Sequence, residues 1–126
     1  MMTAEQYRNS LNDGRETYFE GEQVDDVANH KILGITVDSA AAGYDRFYKP
    51  EPGAVGDFMA VPSSMDELRE QVELHETVDL LTHVTYASVM TLLTAADRIE
   101  ETLPENARRI RAYVKDVQEK DLRITQ

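Results

Sequence analysis

His75, Asp79 and His83 recur at intervals of four residues, and Tyr86 follows one turn later. On a helix that spacing puts all four side chains along one face. A row of imidazole, carboxylate and imidazole can hold a divalent metal or pass a proton toward the phenol of Tyr86. The same residues also fit a plainer account. His75 and Asp79 would then form a surface pair, His83 a hydrogen-bonded core histidine, and Tyr86 a core aromatic with a satisfied hydroxyl. Spacing alone leaves these readings open. A second set, Arg108, Arg109 and Arg111, is expected to pair with neighbouring Glu on a solvated face, with a phosphate or CoA contact as the alternative. Arg15, after Asp13-Gly14, is expected to tie the first helix to the next element through a carboxylate.

The element that must position the His75 to Tyr86 row is the stretch Met65 to Glu101, which contains neither proline nor glycine. Leu74, Val78, Leu81, Thr85, Ser88, Leu92, Ala95 and Ile99 alternate spacings of four and three, which predicts a helix with that face in the core. Further apolar residues between Val78 and Leu93 predict that its middle is enclosed nearly all round. Ser64 and Glu67 form a capping-box start. One unbroken helix to Glu101 would reach roughly 55 Å, too long for a domain of this size, so a break is expected between His75 and Val78.

Around it, Thr3 and Gln6 cap a short helix over residues 4 to 13 that stops at Gly14. Tyr18 to Val24 reads as a hairpin turning at Gly21. A helix from an Asp38 N-cap to Tyr48 comes next, followed by an exposed loop over residues 49 to 56 and a short apolar run from Asp57 to Val61. A last helix begins at Pro104, with Ile110, Tyr113, Val114 and Val117 on one face, and ends near Asp121.

The chain of 126 residues is 41% hydrophobic and without tryptophan, enough for one aliphatic core. With no cysteine it can form neither a disulfide nor a thiolate metal site, and cytoplasmic residence is the simplest expectation. A net charge of −11 repels nucleic acid and anionic membrane, and the excess of carboxylates suits solubility at high salt. There is no signal-peptide pattern and no apolar run of membrane-spanning length.

Two stretches, residues 7 to 30 and 113 to 126, carry a more specific pattern. Tyr7, Ser10-Leu11, Asp13-Gly14-Arg15, Gly21-Glu22, Asp26-Val27 and His30 follow one another in an order and spacing that resembles the 4-hydroxyphenylacetate 3-hydroxylase family. The resemblance implies a mainly α fold with a small β-hairpin: residues 1 to 126 would be the N-terminal helical domain of a longer, acyl-CoA dehydrogenase-like flavoenzyme. It implies an oxygenase that takes reduced FAD from a separate flavin reductase and transfers an oxygen atom to the ortho carbon of a phenol. Its partners would be the remaining domains of the same enzyme, the reductase and further copies in a homo-oligomer. The isolated chain is then expected to be inactive, to bind flavin weakly and to self-associate through apolar faces its missing domains would cover.

By the same resemblance, Tyr86 falls where the family has a substrate tyrosine, Thr82 where it has an arginine, and Gln126 where it has a substrate histidine. The implied site residues are Tyr86 and His83 for catalysis and Tyr86 and Gln126 for substrate binding. Loss of the arginine and the histidine argues against 4-hydroxyphenylacetate itself. The family also contains 4-hydroxybutyryl-CoA dehydratase and vinylacetyl-CoA isomerase, the alternative reading. There Asp79 and His83 stand where two cluster-ligating cysteines would be, so no iron–sulfur cluster is expected. The other alternative is a freestanding helical interaction module whose long helix pairs with a partner.

Overall fold

The computed structural model describes residues 1–125, which fold as two compact units, one from Met2 to Tyr48 and the other from Lys49 onward. Helix α1 (Ala4–Ser10) opens the first unit with the expected capping box: the Thr3 hydroxyl accepts from the Gln6 N–H, and the Gln6 side chain accepts from the Thr3 N–H. Strands β1 (Thr17–Phe19) and β2 (Glu22–Val24) pair antiparallel, Thr17 opposite Val24 and Phe19 opposite Glu22. Glu20 and Gly21 between them both take positive φ, 52° and 87°, the geometry of a tight primed turn.

Helix α2 (Leu33–Phe47) starts five residues before Asp38, where the sequence placed its cap. The reason is His30, whose Nδ1 accepts the N–H groups of Ile32 and Leu33 at 3.3 and 3.1 Å and so serves the first turn from outside the helix. Asp38 is instead an exposed partner of Arg8, at 2.8 Å. Gly34 is needed here for space, since a Cβ on it would stand 2.9 Å from the Ala28 carbonyl oxygen. Val37, Ala40, Ala41, Tyr44 and Phe47 form the buried face of α2, and Tyr44 stacks on Tyr7 of α1 at 4.8 Å.

In the second unit the short apolar run is a 3₁₀ turn (Asp57–Met59) that buries Phe58 and Met59 completely. Each contributes about 1.5–3 kcal/mol of burial free energy. The amide of Gln71 donates to the Asp57 and Ala60 carbonyls, and Gln118 donates to that of Met59, so the turn is fixed from two helices. Helix α3 (Met65–His75) begins at the Ser64 cap and ends where the break was expected. Helix α4 (Leu80–Ile99) follows, then α5 (Pro104–Glu119), which packs along it.

The buried stripe of α4 is Thr82, Thr85, Ser88, Val89 and Ala96, a partial rotation from the face read in the sequence. Small residues line it because they let a neighbour approach closely, while Leu81, Leu92 and Ile99 remain half-buried at its edges. The middle of the helix is not enclosed all round, since Leu80, His83, Thr91 and Thr94 are exposed. On α5, Ala107, Val114 and Val117 are buried and Tyr113 is exposed. Arg111 bridges to Asp97 and Glu100, while Arg108 and Arg109 pair with Glu105, so the arginine cluster is a solvated, carboxylate-paired face. No helix among the described residues is long and apolar enough to cross a membrane.

Candidate functional site

The candidate site lies at the corner where α3 gives way to α4. Asp79 does not pair with His75. Its carboxylate caps α4, accepting from the Thr82 N–H at 2.9 Å and from the Thr82 hydroxyl at 2.6 Å, because the first turn of a helix has N–H groups to satisfy. That commits Asp79 to structure and removes it from the expected row. Among the described residues no three His, Cys, Asp or Glu side chains converge as a metal site.

The three rings of the row do come together. His75, the last residue of α3, stacks on Tyr86 of α4 with centroids 3.8 Å apart and planes at 28°. His83 meets His75 edge-on at 5.8 Å and 74°, and lies 6.5 Å from Tyr86. His83 is exposed, so it is not the core histidine of the plainer reading, whereas Tyr86 and His75 are half-buried. Both ring nitrogens of His75 are shielded from water and neither closes a hydrogen bond of good geometry. Burial, followed by repulsion from His83, lowers the His75 pKa below the usual 6.5, and the backbone at Phe58 works in the opposite direction. Burial thus favours the neutral imidazole.

Next to Tyr86, the Thr85 hydroxyl donates to the Leu81 carbonyl at 2.9 Å and accepts the Ile124 N–H at 3.0 Å. This bond lays the chain after α5 along the turn of α4 that carries Tyr86. The same segment is locked by a feature the sequence reading did not find. Asp121, at φ 52° and fully buried, pairs with Arg123 at 2.6 Å, and the guanidinium sits 4.4 Å above the Phe58 ring. An acidic and a basic residue two apart look like any surface pair in sequence, and no residue type there signals the left-handed turn at Asp121. Gln126, the expected substrate residue, lies outside the described residues.

In the first unit, Arg15 pairs with Asp13 of its own turn, through Nε at 2.8 Å and through a second guanidinium contact. The expected carboxylate is there, but the tie is local. This pair holds the Asp13 carboxyl at about 2, below the usual carboxylate value.

Residues 3–126 match the family model described as 4-hydroxyphenylacetate 3-hydroxylase N terminal. The chain is 45% identical over 62 residues to the oxygenase component of a 4-nitrophenol 2-monooxygenase of Rhodococcus, an alignment covering 49% of this chain and 11% of that protein. It is 37% identical over 82 residues to the oxygenase component of 4-hydroxyphenylacetate 3-monooxygenase of Escherichia coli, covering 55% and 16%. Against a FADH(2)-dependent monooxygenase of Burkholderia cepacia it is 30% identical over 89 residues, covering 62% and 17%. The chain therefore spans less than a fifth of the length of these relatives.

Proposed function

The chain belongs to the 4-hydroxyphenylacetate 3-hydroxylase N-terminal family, and from that premise we propose that it is the N-terminal domain of the oxygenase component of a two-component aromatic monooxygenase. In this reading the α3–α4 corner forms one wall of a phenol pocket. The observation that carries it is the bond from Ile124 to Thr85, which holds the segment after α5 against the turn of α4 that carries Tyr86. The resemblance puts its two substrate contacts in those same two segments. Tyr86 would hydrogen-bond the phenolic oxygen of the substrate, His83 would stand at the open rim as a proton acceptor, and Gln126 would complete the contact set.

The flavin fits this chain only in part. Arg8, Arg15, Arg69, Arg108, Arg109, Arg111 and Arg123 all face carboxylates, so none of these cations is set aside for a pyrophosphate. We therefore assign flavin binding mainly to polypeptide beyond this chain. Reduced FAD, when bound there, would supply the electrons that activate oxygen. A separate flavin reductase, homo-oligomeric assembly and cytoplasmic residence belong to the same reading. The cluster-dependent dehydratase reading gains no support from Asp79, which is committed to capping α4.

The test is to extend the chain to the length of its relatives and supply a flavin reductase, NADH, FAD and a panel of phenols including 4-nitrophenol. Formation of a hydroxylated product coupled to oxygen uptake is expected. Oxygen reduced only to hydrogen peroxide with every phenol would overturn the proposal.

A further inference from the structure

We propose that His75 is a positioning residue for Tyr86: its imidazole, stacked on the phenol ring from the end of another helix, sets the plane in which the Tyr86 hydroxyl meets a substrate. This rests on the reading of Tyr86 as a substrate contact. The two rings are anchored on separate helices. Tyr86 sits in the second turn of α4, whose first turn is fixed by the Asp79 cap. His75 closes α3, and the N–H groups of Glu76 and Thr77 bond back to Glu73 and Leu74 just after it. The phenol ring is therefore held from two elements, its own helix and the one before. Stacking is one of the preferred arrangements of aromatic rings, so an imidazole anchored at 3.8 Å and 28° favours one plane for the phenol.

The identity of the ring also points to this role. A phenylalanine or leucine at residue 75 would fill the same half-buried space and leave no polar atoms shielded without a well-formed hydrogen bond. An imidazole differs in having polar edges on which the backbone at Phe58 acts, short of a well-formed hydrogen bond. A phenyl ring could stack in the same place but has no polar edge for the backbone to act on. His83 adds an edge-on contact at the side of the imidazole, at 5.8 Å, and restricts it further.

The test is a cycle of His75→Leu, His75→Phe, Tyr86→Phe and the double variant His75→Leu/Tyr86→Phe, with two readouts. In the chain itself, labelled with ¹³C in its tyrosine rings, the Tyr86 signal should carry a ring-current shift. That shift should be lost in His75→Leu and partly kept in His75→Phe. In the full oxygenase assayed with 4-nitrophenol, His75→Leu should raise KM about threefold or more, the low end of coupling between residues in contact, with a smaller change in kcat. His75→Phe should fall between it and the parent. In the Tyr86→Phe background, His75→Leu should add almost nothing. If Tyr86→Phe impairs the enzyme but His75→Leu does not, or adds its full factor to Tyr86→Phe, the inference about His75 fails while the site stands. A Tyr86→Phe variant with unchanged kinetics would remove both.

Discussion

His30 and His75 each lie against an aromatic ring, Phe19 at 5.2 Å and Tyr86 at 3.8 Å, yet only one of them is explained by the fold around it. The Nδ1 of His30 takes two N–H groups at the start of α2, so its polar edge does the work of an N-cap. The nitrogens of His75 are shielded from water without such bonds, and its ring neighbours are Tyr86 and His83. A histidine whose hydrogen bonds complete a backbone is a structural part. A histidine whose cation burial disfavours, stacked on a half-buried tyrosine, needs another reason to be there. The difference separates a scaffold built by the first unit from a candidate site in the second.

The comparison holds only if the stability of the second unit comes from residues other than His75. The largest expected effect is therefore at Asp121. Asp121→Asn keeps the shape of the side chain but removes the carboxylate charge from its buried pair with Arg123, and should cost about 3 kcal/mol in chemical denaturation. A loss below about 1 kcal/mol, the range of an exposed pair, would show that this pair is not the lock on the segment beside Tyr86.

Next in size is His30→Ala, which removes the cap of α2 and the contact with Phe19. It should destabilise the first unit by about 1–2 kcal/mol, read as a lower melting midpoint with a frayed α2 in amide hydrogen exchange. His75→Phe is the counterpart and should stay within about 1 kcal/mol of the parent at neutral pH, since the ring volume is kept. Equal losses for the two histidines would erase the distinction drawn between them.

The smallest effect is one of pH. Unfolded, His75 titrates near 6.5, and folded, it titrates lower because burial and His83 disfavour the cation. Between those two values the unfolded chain binds more protons. The contribution of His75 to stability is therefore complete above about pH 6.5 and is lost as the pH falls toward the folded value. His75→Phe should flatten that part of the stability profile. An unchanged slope would place the acid sensitivity on other groups.

The sequence was legible where a single local rule decides the outcome. The Thr3 and Ser64 caps, the turn at Gly21, the proline start of α5 and the break after His75 are of this kind. It was misleading where a distant or unusual partner took over. The start of α2 follows from a side chain three residues upstream that behaves as a cap without being a usual cap residue. The buried face of α4 follows from which residues are small enough for close packing, and hydrophobicity alone points to the neighbouring stripe. Of the proposed site, the spacing put His75, His83 and Tyr86 on one helical face; their rings do meet, but His75 reaches the others from the end of α3, across the break, and not along one helix. The spacing did not foresee that Asp79 would be taken by the helix cap, that His83 would be exposed, or that Thr85 would hold the segment after α5.

The central claim is that Tyr86 faces a substrate and does not merely fill the core. Tyr86→Phe in the chain extended to the length of its relatives, with turnover of 4-nitrophenol and the thermal midpoint measured on the same preparation, tests it most directly. The ring still fills its space and only one hydroxyl is lost, a hydrogen bond worth about 0.5–1.5 kcal/mol or more if a substrate group is left unpaired. The account predicts a several-fold fall in kcat/KM with a nearly unchanged midpoint. Full activity together with a lowered midpoint would contradict it and return Tyr86 to the core.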